Sequence, residues 1–337
     1  MASSILVTGG AGYIGSHTCK ALARAGYQPI AYDNLSRGHA RAVKWGPLVP
    51  SDLADSDALR AVIQQYDIKA VMHFAAYAYV GESMQDPRSY FKNNVADTLN
   101  LLNVILEMGV NRIVFSSSCA TYGVSGRRPI DEEHPQRPIN PYGETKLMLE
   151  RALHWYGGAY NLRSAVLRYF NAAGADLDGE IGEDHDPETH LIPLTIQTML
   201  GQRPYFSILG TDYDTRDGTA IRDFIHVQDL ATAHVRALEH LLYGGKSISL
   251  NLGTGEGHSV RDVIKMVETL TGTPMTIREE LRRPGDPPIL IADPRRANSM
   301  LGWAPEYSNL ATIVETAWLW QVGEAAPHGV DRNVSAA

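Results

Sequence analysis

The sequence predicts an α/β fold, a doubly wound parallel sheet with a smaller, interleaved C-terminal domain. Short apolar runs of strand length alternate with stretches of helical periodicity through the first half of the chain, the pattern of parallel strands joined by crossover helices. A glycine-rich turn joins the first run to the first helix. After Asn171 the texture changes to an acidic, glycine-rich loop and then to shorter elements broken by Pro193, Pro204, Pro274 and Pro284.

Residues 5–8 read as the first strand. The turn Gly9-Gly10-Ala11-Gly12-Tyr13-Ile14-Gly15 enters a helix whose inner positions are Ile14, Thr18, Ala21 and Leu22, with Gly26 as its left-handed stop. Residues 30–33 form the second strand; further strands are expected at 70–74, 112–116 and 165–169, with helices near 56–65, 94–108 and 141–156. The apolar run 248–252 is placed to rejoin this sheet. Residues 1–171, with a segment of about 221–253, thus read as a dinucleotide-binding Rossmann domain, and 172–337 as a substrate domain with a frayed tail from about 323.

The composition is that of an ordinary globular protein, with 44% hydrophobic and 20% charged residues in 337. Thirty Lys+Arg against 38 Asp+Glu give a formal charge of −8, which argues against a nucleic-acid or anionic-membrane footprint. No apolar run reaches the roughly 18 residues of a spanning helix. Two cysteines far apart, Cys19 and Cys119, form neither a disulfide framework nor a metal knuckle, and the N-terminus does not read as a secretory signal, so a cytoplasmic protein with no metal site is expected. His234 and His240, six apart on a helix, do not share a metal-binding face, and Gly253-Thr254-Gly255-Glu256-Gly257 lacks the lysine of a phosphate loop.

Gly9-x-x-Gly12-x-x-Gly15 lies between a strand and a helix, where missing side chains admit a pyrophosphate to the helix N-terminus. Asp33 closes the second strand 18 residues after Gly15, placed to accept hydrogen bonds from an adenosine ribose and repel a 2′-phosphate, so NAD is favoured over NADP. Arg37 pulls the other way, since a guanidinium suits a phosphate-bearing ribose.

Asn140-Pro141-Tyr142-Gly143-Glu144-Thr145-Lys146 reads as a helix start, with Asn140 the N-cap, Pro141 at the first position and Tyr142 and Lys146 one turn apart on an inward face. Burying a lysine without a role is costly. Lys146 and a cationic nicotinamide are expected to lower the Tyr142 pKa from about 10 toward neutrality, a shift of about 3 units or roughly 4 kcal/mol, making Tyr142 a general base. Ser118, at the end of a strand, is placed to bond the reacting hydroxyl.

Taken together, the glycine motif, Ser118, Tyr142 and Lys146 resemble the extended short-chain dehydrogenase/reductase superfamily. More narrowly the chain resembles the UDP-glucose (UDP-galactose) 4-epimerase family, in Thr8-Gly-Gly-Ala-Gly-Tyr-Ile-Gly-Ser-His17, Asp33-Asn34-Leu35-Ser36, His73-Phe74-Ala75-Ala76, Asn93-Asn94-Val95, Leu167-Arg168-Tyr169-Phe170-Asn171 and Arg222-Asp223-Phe224-Ile225-His226-Val227. The resemblance implies NAD contacts from Gly9, Gly12, Tyr13, Ile14, Gly15, Asp33, Asn34, Asp52, Leu53, Phe74, Ala75, Asn93, Lys146 and Tyr169. It implies that Asn171, Leu191, Arg222, Arg283 and Asp286 hold the UDP part of the substrate, beside Ser118 and Tyr142. It further implies reversible oxidation at the sugar's fourth carbon, a 4-keto intermediate that turns over in the site, and a homodimer.

Two positions depart from the family pattern, Ala78 for a lysine and His190 for an asparagine, and local runs around 76–80, 118–123 and 138–142 resemble UDP-arabinose/UDP-xylose 4-epimerases, the alternative substrate class. Leu290, where some relatives carry a tyrosine, suggests room for an N-acetyl group. A nucleotide-sugar dehydratase would need a carboxylate acid/base pair where Cys119 and Ala120 stand. Only the family resemblance separates the epimerase from a dehydrogenase with net redox change, and a non-catalytic NAD-binding module has no use for Ser118, Tyr142 and Lys146 together.

Overall fold

The computed structural model describes residues 2–325 apart from 125, 127, 128, 284 and 285. In chain order its strands are β1 (Ser4–Thr8), β2 (Gln28–Asp33), β3 (Leu48–Pro50), β4 (Ala70–His73), β5 (Arg112–Ser118), β6 (Arg163–Tyr169), β7 (Asn171–Ala173), β8 (Phe206–Leu209), β9 (Ile221–Arg222), β10 (Phe224–His226), β11 (Ile248–Leu252), β12 (His258–Ser259), β13 (Ile277–Glu280) and β14 (Ile289–Leu290). Seven of them make one parallel sheet in the order β11-β6-β5-β4-β1-β2-β3. The order reverses between β1 and β4, the switch point where doubly wound sheets open a crevice at their carboxyl edge. β11 pairs with β6 from Ile248 opposite Ala165 to Leu252 opposite Tyr169, so the chain does return to its first sheet.

The helices are α1 (Tyr13–Arg24), α2 (Ser56–Tyr66), α3 (Val80–Gln85), α4 (Pro87–Tyr90), α5 (Asp97–Glu107), α6 (Pro141–Tyr160), α7 (Leu191–Met199), α8 (Val227–Leu242), α9 (Val260–Thr271), α10 (Arg295–Leu301) and α11 (Leu310–Ala325). On one face of the large sheet α1 and α8 bury Leu22, Leu230 and Leu238 against Val7, Leu167 and Leu250. On the other, α2, α5 and α6 bury Leu59, Leu102 and Leu153 against Leu6, Val71 and Phe115. Each such side chain contributes about 1.5–3 kcal/mol by leaving water. A separate core gathers Ile192, Phe206, Phe224, Val263 and Ile313 around α7, α9 and α11.

Several local expectations meet their physical cause. Gly26 adopts φ +85° behind α1, and the Asn140 side chain accepts from the Gly143 N–H at 2.8 Å. β3 escapes the sequence pattern because it is three residues long, at the sheet edge, and ends in proline. The helix expected near 94–108 is entered through a π turn at Phe91–Ala96, where buried Asn94 accepts from Tyr77 N–H and donates to the Tyr77 carbonyl and the Thr145 hydroxyl. Residues 323–325, expected in the tail, close α11; 326–337 lie outside the described residues.

α6 carries Lys146 and Glu150 buried on one face. Arg168 of β6 meets Glu150 in a forked pair, Nε to Oε1 at 3.0 Å and Nη2 to Oε2 at 2.6 Å, while Ser117 and Gln136 donate to the same carboxylate. Arg168 also donates to the Tyr122 hydroxyl, which donates to Asn251 of β11. Removing one member leaves a buried charge unpaired, so Glu150→Ala is expected to lose about 3–5 kcal/mol of stability, and Glu150→Leu combined with Arg168→Met far less than the sum of the single losses. Urea unfolding followed by circular dichroism checks both.

Candidate active site

A cleft of about 730 Å³ opens at the carboxyl edge of the large sheet, its far wall built from α7, β8, β9 and β14. Every residue named above for the dinucleotide and for the UDP sugar lines it. The sequence order scatters them from Gly9 to Asp286; most come just after a strand's carboxyl end or from the domain folded over it, while Asn93, Tyr142 and Lys146 are brought in on helical turns packed against the sheet.

The glycine turn is a close fit. Gly9 stands at φ +71°, and a Cβ on Gly15 would lie 2.1 Å from the Gly9 carbonyl oxygen, so the helix meets its own turn only without a side chain there. A Cβ on Gly12 would meet nothing nearer than that same oxygen at 3.3 Å and otherwise opens on the cleft. Gly12 caps α1 with no side-chain bond, and no acid stands in the first turn, which leaves the leading N–H groups for an anion. Asp33 accepts from the Ala11 N–H at 3.0 Å and the Leu35 N–H at 2.8 Å, fixing the turn to the end of β2, and burial raises its pKa. Asn34 donates to Asp52 at 2.8 Å beside it. Arg37 is not directed at a ribose phosphate: it pairs with Glu82 at 2.6 Å and lies over the rings of Tyr77 and Tyr79, which removes the objection it raised to NAD.

At the centre of the cleft, Ser118 ends β5 opposite Tyr169 of β6. Its hydroxyl accepts from the Ala120 N–H at 3.1 Å. Lys146 is 3% exposed, donates to the Ser116 carbonyl at 2.8 Å and sits 5.8 Å from the Tyr142 ring centre. Desolvation brings its pKa down to about 7, against the pull of Glu150. The expected lowering of Tyr142 is not a property of the chain alone. Desolvation in the cleft pushes the phenol up to about 12, and a hydrogen bond from Ser118 only partly opposes it. The chain's own groups leave the phenol raised, and an oxidised nicotinamide bound beside it would add the positive charge that favours the phenolate. The Tyr169 hydroxyl bonds Ser116, the residue whose carbonyl Lys146 also uses.

At the other end Arg222 pairs with Asp286, which Arg283 approaches to 3.9 Å. Asp286 is thus shared between two guanidinium groups rather than standing free for a ribose, and the group keeps one net positive charge. Asn171, Leu191, Ala78, His190 and Leu290 line the same cleft. Asn94 and Tyr79, and the carboxylates of Glu183 and Glu188, also belong to the site's surroundings and were missed: none follows from the glycine or Tyr/Lys spacing, though the Glu-x-His-x-x-Glu-x-His run at 183–190 was legible as a pattern.

The NAD dependent epimerase/dehydratase family model matches residues 5–253. The chain belongs to that family. It is 54% identical over 318 residues to a UDP-glucose 4-epimerase of Rhizobium meliloti, covering 94% of this chain and 97% of the relative. The crystal structure of UDP-glucose 4-epimerase from Brucella ovis in complex with NAD matches at 52% identity and TM-score 0.92, over 94% of this chain and 98% of that one. A Stenotrophomonas maltophila UDP-glucose 4-epimerase with bound NAD and formylated UDP-arabinopyranose matches at 39% identity and TM-score 0.92, over 96% and 99%.

The residues present fit NAD, the family's cofactor. The uncapped α1 terminus and the open space over Gly12 suit a pyrophosphate, the Asp33 carboxylate suits an unphosphorylated ribose, and Lys146, with a single carbonyl partner, has donors to spare. Gly12→Ala is expected to fold with a near-normal Tm but retain NAD about tenfold less tightly, whereas Gly15→Ala should lose both; melting curves and chromatography of nucleotide released on denaturation separate the two. Lys146 gives a pH signature. Between about 7 and its ordinary 10.5 the unfolded side chain holds a proton that the folded one has released, so stability rises with pH across that window. Lys146→Met should flatten this slope, read as urea midpoints at pH 7.5 and 9.5.

Proposed function

We propose that this enzyme inverts carbon 4 of a UDP-sugar, interconverting UDP-galactose and UDP-glucose through a 4-keto intermediate with no net redox change. The observation that carries the reading is the convergence of Ser118, Tyr142 and Lys146 with the glycine turn and the arginine-lined end in one cleft. The relatives matched over nearly the whole chain, named for the hexose reaction, favour it over the pentose alternative.

Bound NAD supplies a hydride acceptor and donor at the sugar's fourth carbon. The Tyr142 oxygen, as phenolate, takes the proton of the 4-hydroxyl and returns it to the same sugar oxygen once the keto sugar has turned its other face to the hydride, and Ser118 bonds that sugar oxygen so that it lies in line for transfer. Lys146 holds the cofactor ribose and stabilises the Tyr142 phenolate. Arg222 and Arg283 grip the diphosphate, with Asp286 rotating from them to the uridine ribose when substrate enters, so the sugar turns about a fixed anchor. Asn171 and Leu191 complete the UDP contacts.

Incubated with UDP-galactose and no added nucleotide, the purified protein is expected to form UDP-glucose, resolved by chromatography; turnover of UDP-arabinose alone would move the assignment to pentoses, and turnover of neither, with NAD added, would overturn it. Tyr142→Phe is expected to lower kcat by about 10²–10⁴-fold while NAD stays bound. A homodimer packed through α5 and α6 and a cytoplasmic setting complete the proposal. Trp155 (73% exposed) and Tyr160 (61%) leave apolar surface on α6 to be covered, and the two cysteines are free and buried. Trp155→Glu should shift the light-scattering mass from two chains toward one.

A further inference from the structure

The loop between β7 and α7 carries four side chains that the sugar chemistry above does not use, Glu183, His185, Glu188 and His190. They converge on one point, with a ligand atom from each within 4.8 Å of the others. Glu183 Oε1 lies 3.1 Å from His185 Nδ1 and 2.8 Å from His190 Nδ1. Glu188 Oε1 lies 2.9 Å from His190 Nδ1, and Glu188 Oε2 3.8 Å from His185 Nδ1. Donor atoms held about 2.0–2.1 Å from a tetrahedral metal ion stand roughly 3.3 Å from one another, the middle of that spread.

Charge points the same way. The two carboxylates are 6% and 4% exposed, and the only basic groups that the described ion pairs bring to them are the two imidazoles. Against the desolvation that would lower it, Glu183 and Glu188 push the His190 imidazole up to about 10, so it offsets one of the two buried carboxylates; a divalent cation in place of that proton offsets both and satisfies four donor groups together. The shell around the donors is built as well. Tyr79 packs against both imidazoles, at 5.8 and 6.0 Å, and Tyr13 against His185 at 6.3 Å. The N–H groups of Thr189 and His190 hold the Glu188 carboxylate at 2.6 and 2.8 Å.

We propose that Glu183, His185, Glu188 and His190 form a binding site for a divalent transition-metal ion in the wall of the cleft, the two-nitrogen, two-oxygen set suiting Zn²⁺. The ion clasps the loop after β7 against Tyr13 and Tyr79, at the cofactor's end of the cleft. This goes beyond the epimerase reading and does not rest on it.

Tag-free protein with its nucleotide retained is treated with chelator, desalted and titrated with Co²⁺ in the visible range. One equivalent is expected to saturate, with the intense bands of a four-coordinate site, and Zn²⁺ to displace it. His185→Asn and Glu183→Gln are each expected to weaken Co²⁺ binding at least about tenfold, and His154→Asn, on the exposed surface of α6, to leave it unchanged. Should a loop variant fail to fold, the wild-type Tm in excess Zn²⁺ against chelator remains a readout, and a rise is expected. No saturable uptake, no rise in Tm, or uptake undiminished in both loop variants would show the cluster to be an internal ion-pair network and overturn the proposal.

Discussion

A charged helix face buried against the end of a strand is the constraint from which the rest of the site follows. Lys146 and Glu150 point from α6 onto β5, one to the Ser116 carbonyl and the other to the Ser117 hydroxyl and Arg168. Three consecutive residues of β5 take different parts: Ser117 and the Ser116 carbonyl hold the helix, while Ser118, with the Ser116 side chain behind it, faces the cleft. Tyr142 and Lys146 take their separation from the helix and their depth from these bonds. Neither charge is stabilised by the interior on its own account, and both remain because their partners are fixed by the sheet.

The large sheet was legible because its strands are short apolar runs between turn signals, and β1, β2 and β4 to β6 all carry that mark. The glycine turn, Asp33, Ser118, Tyr142 and Lys146 were legible for a different reason. Their positions are dictated by the backbone: a turn that admits no Cβ, the end of a strand, one turn of helix. The π turn before α5 was not, since Phe91–Ala96 is too polar for a break in the helical phase to show in an apolar pattern. Nor was the pairing of Arg37 with Glu82, or of Arg222 with Asp286, because nothing in a sequence states which of several nearby acids an arginine will choose.

The Tyr142 phenol shows where reasoning from charge alone stops short. A lysine one turn away suggested an easily ionised tyrosine, yet the site removes water from both groups and the loss of hydration outweighs the attraction between them. The consequence is a phenol that the chain's own groups leave protonated; in the proposed reaction it would serve as base with a further positive charge beside it.

Lys20 of α1 is 2% exposed and holds Asp176, Asp178 and Glu180 at 2.6–2.8 Å, so the loop after β7 is bolted to the helix that follows the glycine turn. The two segments are more than 150 positions apart in sequence but mechanically one piece. A chimera that took residues 174–188 from another sugar-specific relative would set three new side chains around a socket shaped for carboxylates and lysine. Exchange of this loop is therefore an exchange of the first helix as well, and a graft keeps its footing only when both are varied together.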